Sequence, residues 1–146
     1  MSSTPIGEYA LISDCHSRAL VSRAGSIDWL CFPRFDGPSV FARLLDDAAG
    51  HWSIAPEGGW SSSRRYLDRS MVLETTFRGD SGVVVLTDAM ALDPSEEGHD
   101  LGRGAPGAVF RRIRCVKGSV EVRTSYEPRP EYGLIHPLFS GRWTEA

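Results

Sequence analysis

Hydrophobic and polar positions alternate with a period of two along most of the chain. Over 70–77, Leu73, Thr75 and Phe77 share one face while Val72, Glu74 and Thr76 share the other. A strand over 83–90 follows, after the turn Gly79-Asp80-Ser81-Gly82. Val109, Ile113 and Cys115 alternate with Arg112 and Arg114. Beyond Lys117-Gly118, Val120, Val122, Thr124 and Tyr126 alternate with Glu121, Arg123, Ser125 and Glu127. Short alternating runs separated by glycine-containing turns predict antiparallel strands joined as hairpins. Earlier strands are expected over 9–13, 19–23, 26–32 and 52–55, with Arg23-Ala24-Gly25 as a turn.

One short helix is expected after Pro38, which suits a first helical position because its missing N–H would lack a partner there anyway. Val40, Phe41, Leu44 and Leu45 then form an apolar stripe, and Gly50 can take the left-handed conformation that ends a helix. Residues 57–63 and 93–107 read as loops. The fold class that results is all-β: an antiparallel β-sandwich with one short helix. The last hairpin is expected to close near Glu127. The residues after it include Leu134, Ile135, Leu138, Phe139 and Trp143, an apolar stretch suited to docking. The sandwich is therefore expected to be truncated, leaving an exposed strand edge.

The 146 residues give room for one domain. With 41% hydrophobic and 24% charged residues, the composition is that of a globular protein and not a disordered one. No apolar run exceeds four residues, so no membrane-spanning helix is expected, and no secretory leader is expected from the polar start. A net charge of −3 gives no electrostatic footprint for nucleic acid or an anionic membrane. Cys15, Cys31 and Cys115 are odd in number and far apart, which points to free thiols in a reducing cytoplasm.

Several motifs invite chemistry. Gly102-Arg103-Gly104-Ala105-Pro106-Gly107 spells a dinucleotide fingerprint, but a polar loop precedes it, a strand follows it, and Pro106 removes a donor, so it reads as a loop. His16, His51, His99 and His136 are scattered without ligand spacing, so no metal and no cofactor are expected. The cluster Arg111, Arg112 and Arg114 could suggest phosphate contacts, but Arg112 and Arg114 share one strand face and read more simply as a solvated pair, opposite Glu121 or Glu127 across a hairpin. The densest segment places Asp28, Trp29, Arg34, Phe35 and Asp36 around a strand end. Two readings fit it. An aromatic face beside carboxylates and arginine is what a sugar subsite uses. Equally, Trp29 and Phe35 can be core, Asp36 a helix cap, and Arg34 the ion-pair partner of Asp28 or Asp36. No pair of the nineteen acids stands out as the two carboxyls of a glycosidase.

Taken together, Ile6-Gly7-Glu8-Tyr9-Ala10-Leu11-Ile12-Ser13-Asp14-Cys15, Ala19-Leu20-Val21-Ser22, Gly25-Ser26-Ile27-Asp28-Trp29-Leu30-Cys31, Pro33-Arg34-Phe35-Asp36 and Phe41-Ala42-Arg43-Leu44-Leu45-Asp46 resemble the N-terminal, trehalase-like or glucoamylase-like domain of bacterial glycoside hydrolase family 15 proteins. The resemblance runs over 6–139, and 6–46 is its specific part. It implies an N-terminal β-sandwich ahead of a helical toroid that carries the catalytic acid and base for α-glucoside hydrolysis. On it, 1–146 is a single N-terminal domain, incomplete at its C-terminus and without the toroid. The chain is then non-catalytic by itself, and its partner is that helical catalytic domain. Asp28, Trp29, Arg34, Phe35 and Asp36 become candidates for the rim of the active site or the domain interface; no catalytic residue is carried over. The alternative is a stand-alone carbohydrate-binding module for an α-glucoside ligand, and a small independent enzyme ranks last.

Overall fold

A computed structural model describes residues 4–94 and 98–139. Among these residues ten strands form two antiparallel sheets. The first sheet contains β1 (Tyr9–Ser13), β2 (Arg18–Ser22), β3 (Ser26–Cys31), β5 (His51–Pro56) and β10 (Val122–Glu127), paired in that order, with β4 (Ser39–Phe41) also on β3. The second contains β6 (Trp60–Tyr66), β7 (Leu73–Gly79), β8 (Gly82–Met90) and β9 (Val109–Gly118), in chain order. The fold is all-β, as the alternation predicts, and the sheets face each other across two groups of apolar side chains. Ile12, Val21, Ile27, Leu30, Phe41, Leu73 and Met90 fill one end; Ile54, Phe77, Val84 and Leu86 fill the other.

The structure corrects the expected helix. Among the described residues the helical pieces are two single 3-10 turns, at Ile6–Glu8 and Gly98–Asp100. Ser39, Val40 and Phe41 instead pair with Leu30 and Cys31 as β4. A β-branched and an aromatic residue suit a pleated surface, and burial of Phe41 in the core decides the outcome. Residues 42–46 make one turn only, in which Leu45 N–H bonds the Ala42 carbonyl at 2.8 Å, and Leu45 stays 68% exposed. Gly50 does have positive φ (+88°), but the conformation serves the entry into β5. Asp36 therefore caps no helix.

Two further corrections concern the strands. Residues 60–63, expected as loop, belong to β6, where the serines sit on a sheet edge and Trp60 packs on Phe77 with ring centroids 4.9 Å apart. The hairpin expected between β9 and β10 does not form. Gly118 has φ +73°, and a Cβ there would lie 2.2 Å from the Ser81 carbonyl oxygen. The chain turns at this close approach and crosses to the other sheet, where β10 pairs with β5. Arg112 and Arg114 thus oppose Thr87 and Val85, not glutamates.

The flank made by β9 and β10 is open. Cys115 lies directly opposite buried Val84, and Thr124 directly opposite buried Ile54, so both face inward, yet both are exposed. Tyr126, beside Trp52, is 49% exposed. Residues 128–139 run over the outer edge of β4. Arg129 N–H donates to the Val40 carbonyl, Tyr132 N–H donates to Ser39 Oγ, and Phe139 touches Tyr126 at 5.8 Å between ring centroids. Leu134 and Leu138 project to solvent. Trp143, the last of the apolar stretch, lies outside the described residues. The expected exposed edge is therefore present, and among the described residues the sheets form no closed barrel.

Candidate functional site

A cleft with a volume of 620 Å³ opens beside Tyr9, Asp28 and Arg43. Its floor depends on a bulge. Ala19 pairs with Leu30 and Val21 with Ile27, so two residues of β3, Asp28 and Trp29, stand opposite the single Leu20. The bulge lets Ile27 and Leu30 both enter the core while it re-aims Asp28. Asp28 is 3% exposed. Its Oδ2 accepts from the Tyr9 hydroxyl at 3.0 Å, and its Oδ1 accepts from Ser26 Oγ at 2.6 Å and from Arg43 Nε at 3.0 Å. Arg43 Nη2 donates to Ser26 Oγ at 2.7 Å. The turn that carries Arg43 is fixed to the bulge because Leu44 N–H bonds the Asp28 carbonyl at 3.0 Å.

Burial, and then the neighbouring Asp28, hold the Tyr9 phenol above its ordinary value. His51, at the start of β5, is held below its ordinary value by burial and by Arg43. Glu8, Arg23, Leu45, Asp46 and Asp47 line the mouth. Both oxygens of Asp28 and the Ser26 hydroxyl are committed to fixed partners. The floor is thereby a rigid polar surface, its carboxylate and hydroxyl held in place by one another and by Arg43.

The five residues singled out in the sequence separate. Asp28 lies in the cleft floor. Trp29 is half-buried under Tyr132, with 6.2 Å between ring centroids. Arg34, Phe35 and Asp36 form an exposed turn elsewhere. Arg34 Nε donates to Asp36 Oδ1 at 3.0 Å, and this bond holds the Asp36 carboxyl below its ordinary value. Of the two partners expected for Arg34, Asp36 is the one it takes, while Asp28 takes Arg43. Phe35 N–H bonds the His16 carbonyl at 2.9 Å, and the Arg18 guanidinium lies 4.9 Å from the Phe35 ring centroid. The structure thus joins the 34–36 turn to the 14–18 turn, and it joins Asp28 to Tyr9, Ser26 and Arg43.

Sequence reasoning missed a second polar group. Arg111, grouped in the sequence with Arg112 and Arg114, points the other way, into the core. Its guanidinium and the Asp88 carboxylate are both fully buried, with Nε 2.8 Å from Oδ1. Arg111 also donates to the Gly25 and Trp52 carbonyls of the opposite sheet and stacks on the Trp52 ring. Burial pushes the Asp88 carboxyl up from its ordinary value, against the pull of Arg111. The signal was available: Arg111 shares the face of Val109 and Ile113, and Asp88 the face of Leu86 and Met90.

Cys15, Cys31 and Cys115 are free thiols, and burial raises that of Cys31. Among the described residues no His, Cys, Asp or Glu group is arranged to hold a metal, and no helix is long and apolar enough to cross a membrane. Gly102–Gly107 leads into strand β9, not into a helix.

A family model described as trehalase-like, N-terminal, matches residues 1–138. The chain is 39% identical over 141 residues to a trehalase of Mycolicibacterium smegmatis, covering 90% of this chain and 21% of that protein. It is 39% identical over 141 residues to a trehalase of Mycobacterium tuberculosis, covering 88% and 20%. A third relative, trehalase 2 of Sulfolobus acidocaldarius, is 40% identical over 129 residues, covering 88% and 19%. The chain spans about a fifth of the length of these curated relatives. No solved structure matches it significantly. The motifs of 6–46 and the match over almost the whole chain agree, and the chain belongs to the trehalase-like N-terminal domain family.

Proposed function

We propose that this chain is the non-catalytic N-terminal sandwich of an α-glucoside hydrolase of the trehalase or glucoamylase type, glycoside hydrolase family 15, acting in carbohydrate metabolism. On this reading it packs against a helical catalytic domain and shapes the rim of that domain's active site. One observation carries it: Cys115, Thr124 and Tyr126 face inward from the last strand of each sheet and still meet solvent. A sandwich complete in itself covers such side chains, so this flank is suited to receiving a further unit. The apolar residues Leu134, Ile135, Leu138 and Phe139 extend the same flank. Trp29, under Tyr132, borders that segment, and the Arg34-Phe35-Asp36 turn offers an exposed ring beside an ion pair, suited to a rim or interface. Free thiols support a reducing compartment, the cytoplasm, as its place of work.

The test is glucose release from trehalose and maltose. The purified chain alone is expected to release none. A chimera in which it replaces the matching N-terminal fifth of the Mycolicibacterium relative is expected to release glucose, and the relative without that fifth is not. Activity of the bare chain, or full activity of the shortened relative, overturns the reading.

The 620 Å³ cleft favours a second reading, a carbohydrate-binding module for α-glucosides, because its size and fixed polar floor suit a small ligand. It predicts saturable heat on titration with trehalose or maltooligosaccharides, abolished by Arg43→Met. A flat titration removes it.

A further inference from the structure

Strand β9 carries an outward row of Phe110, Arg112, Arg114 and Lys117, and the register shows what faces each of them. Their partners on β8 are Ala89, Thr87, Val85 and Val83, none of them charged. The side chains of Arg112 and Arg114 have no hydrogen-bond or ion-pair partner among the described residues, whereas on the same sheet face Arg65 is paired with Glu74 at 2.6 Å and Arg78 donates to Ser63 at 3.0 Å. Two residues apart on a strand, the arginines sit about 6.5 Å from one another, well inside the screening length of physiological salt. The other side of β9 is a free edge, with β8 its only strand partner among the described residues. Phe110, at the end of the row, is 63% exposed. An edge of ten residues, regular over Val109–Cys115 and shifted in register at its Lys117 end, bears an exposed ring and can template another strand, whose side chains could supply the charge its cations lack.

We propose that the free edge of β9 receives an acidic extended segment, added as a further strand whose alternate carboxylates meet Arg112 and Arg114. The inference rests on the reading of this flank as a docking side, and it specifies what the docked element looks like: acid at every second position on its outward face. Directly opposed charges of opposite sign stabilise a strand pair and like charges destabilise it, so the sign of the added strand decides whether it binds.

The experiment titrates the full chain with a short peptide alternating valine and glutamate, and separately with its counterpart carrying lysine for glutamate. Amide chemical shifts and fluorescence anisotropy are followed. The expected result is saturable binding of the glutamate peptide at least about tenfold tighter than the lysine peptide, weakening as salt rises. Shifts should centre on the amides of Val109–Gly118. In the double variant Arg112→Glu with Arg114→Glu the preference should reverse. Equal binding of both peptides, no saturable binding, or shifts centred on another edge overturns the proposal and leaves the arginines as guards of a solvent-facing strand. The wild-type comparison decides even where the double variant folds poorly. Glucose release by the chimera reads the parent proposal separately: an active chimera without peptide preference removes the acidic strand alone, and an active bare chain removes the docking role.

Discussion

Arg111 ties the two sheets together through one side chain. Its guanidinium meets Asp88 on the neighbouring strand and two carbonyls across the core. Arg111→Met would leave a buried carboxylate unpaired, and a loss of about 3–5 kcal/mol is expected in urea unfolding. Adding Asp88→Leu should restore part of that loss by removing the orphaned charge; a second substitution that costs as much again would contradict the coupling. His51 gives a pH test. Its native pKa lies below the unfolded value, because burial and Arg43 oppose protonation. The unfolded chain therefore binds the proton first, and stability is expected to fall as pH drops below about 6.5 and to level off once the native imidazole is protonated. His51→Gln should remove that part of the slope between about pH 5 and 8 in urea melts. The buried pair was legible in principle, since alternation puts Arg111 and Asp88 on inward faces; grouping Arg111 with Arg112 by adjacency hid it. The cleft was not legible, because Tyr9, Asp28 and Arg43 meet only through a bulge that no local pattern announces.

At the scale of elements, period two was a sound guide wherever one face is buried. It located β1, β2, β3, β5, β7, β8, β9 and β10 to within a few residues. It failed for β6, whose Ser61-Ser62-Ser63 run carries no apolar alternation and is held by its neighbour and by Trp60. It failed for β4 because Val40, Phe41, Leu44 and Leu45 fit a helical stripe equally well, and only the open edge of β3 selects the strand. One edge has its own guard. The Tyr66 hydroxyl donates to the Leu11 carbonyl at 2.8 Å and accepts from the Leu11 N–H at 3.0 Å, closing β1 to further pairing. Tyr66→Phe is expected to cost about 1 kcal/mol and to speed hydrogen exchange of the Leu11 amide; an unchanged exchange rate would deny Tyr66 this role.

For the whole molecule, the fold class and the family could be read from the residues, and the sheet assignment of the last strands could not. Register between distant strands is set by tertiary packing, and Gly118 looks like any hairpin turn until Ser81 is seen beside it. That crossing leaves β9 and β10 as neighbouring edges with inward side chains uncovered, and the docking proposal depends on it. Hydrogen exchange of the isolated chain against the same residues within the trehalase chimera tests this most directly. Slower exchange is expected at Val109–Gly118, Val122–Glu127 and 132–139 in the chimera, with the amides around Tyr9, Asp28 and Arg43 unchanged. Unaltered exchange along that flank, with protection gathered at the cleft, would contradict the docking proposal.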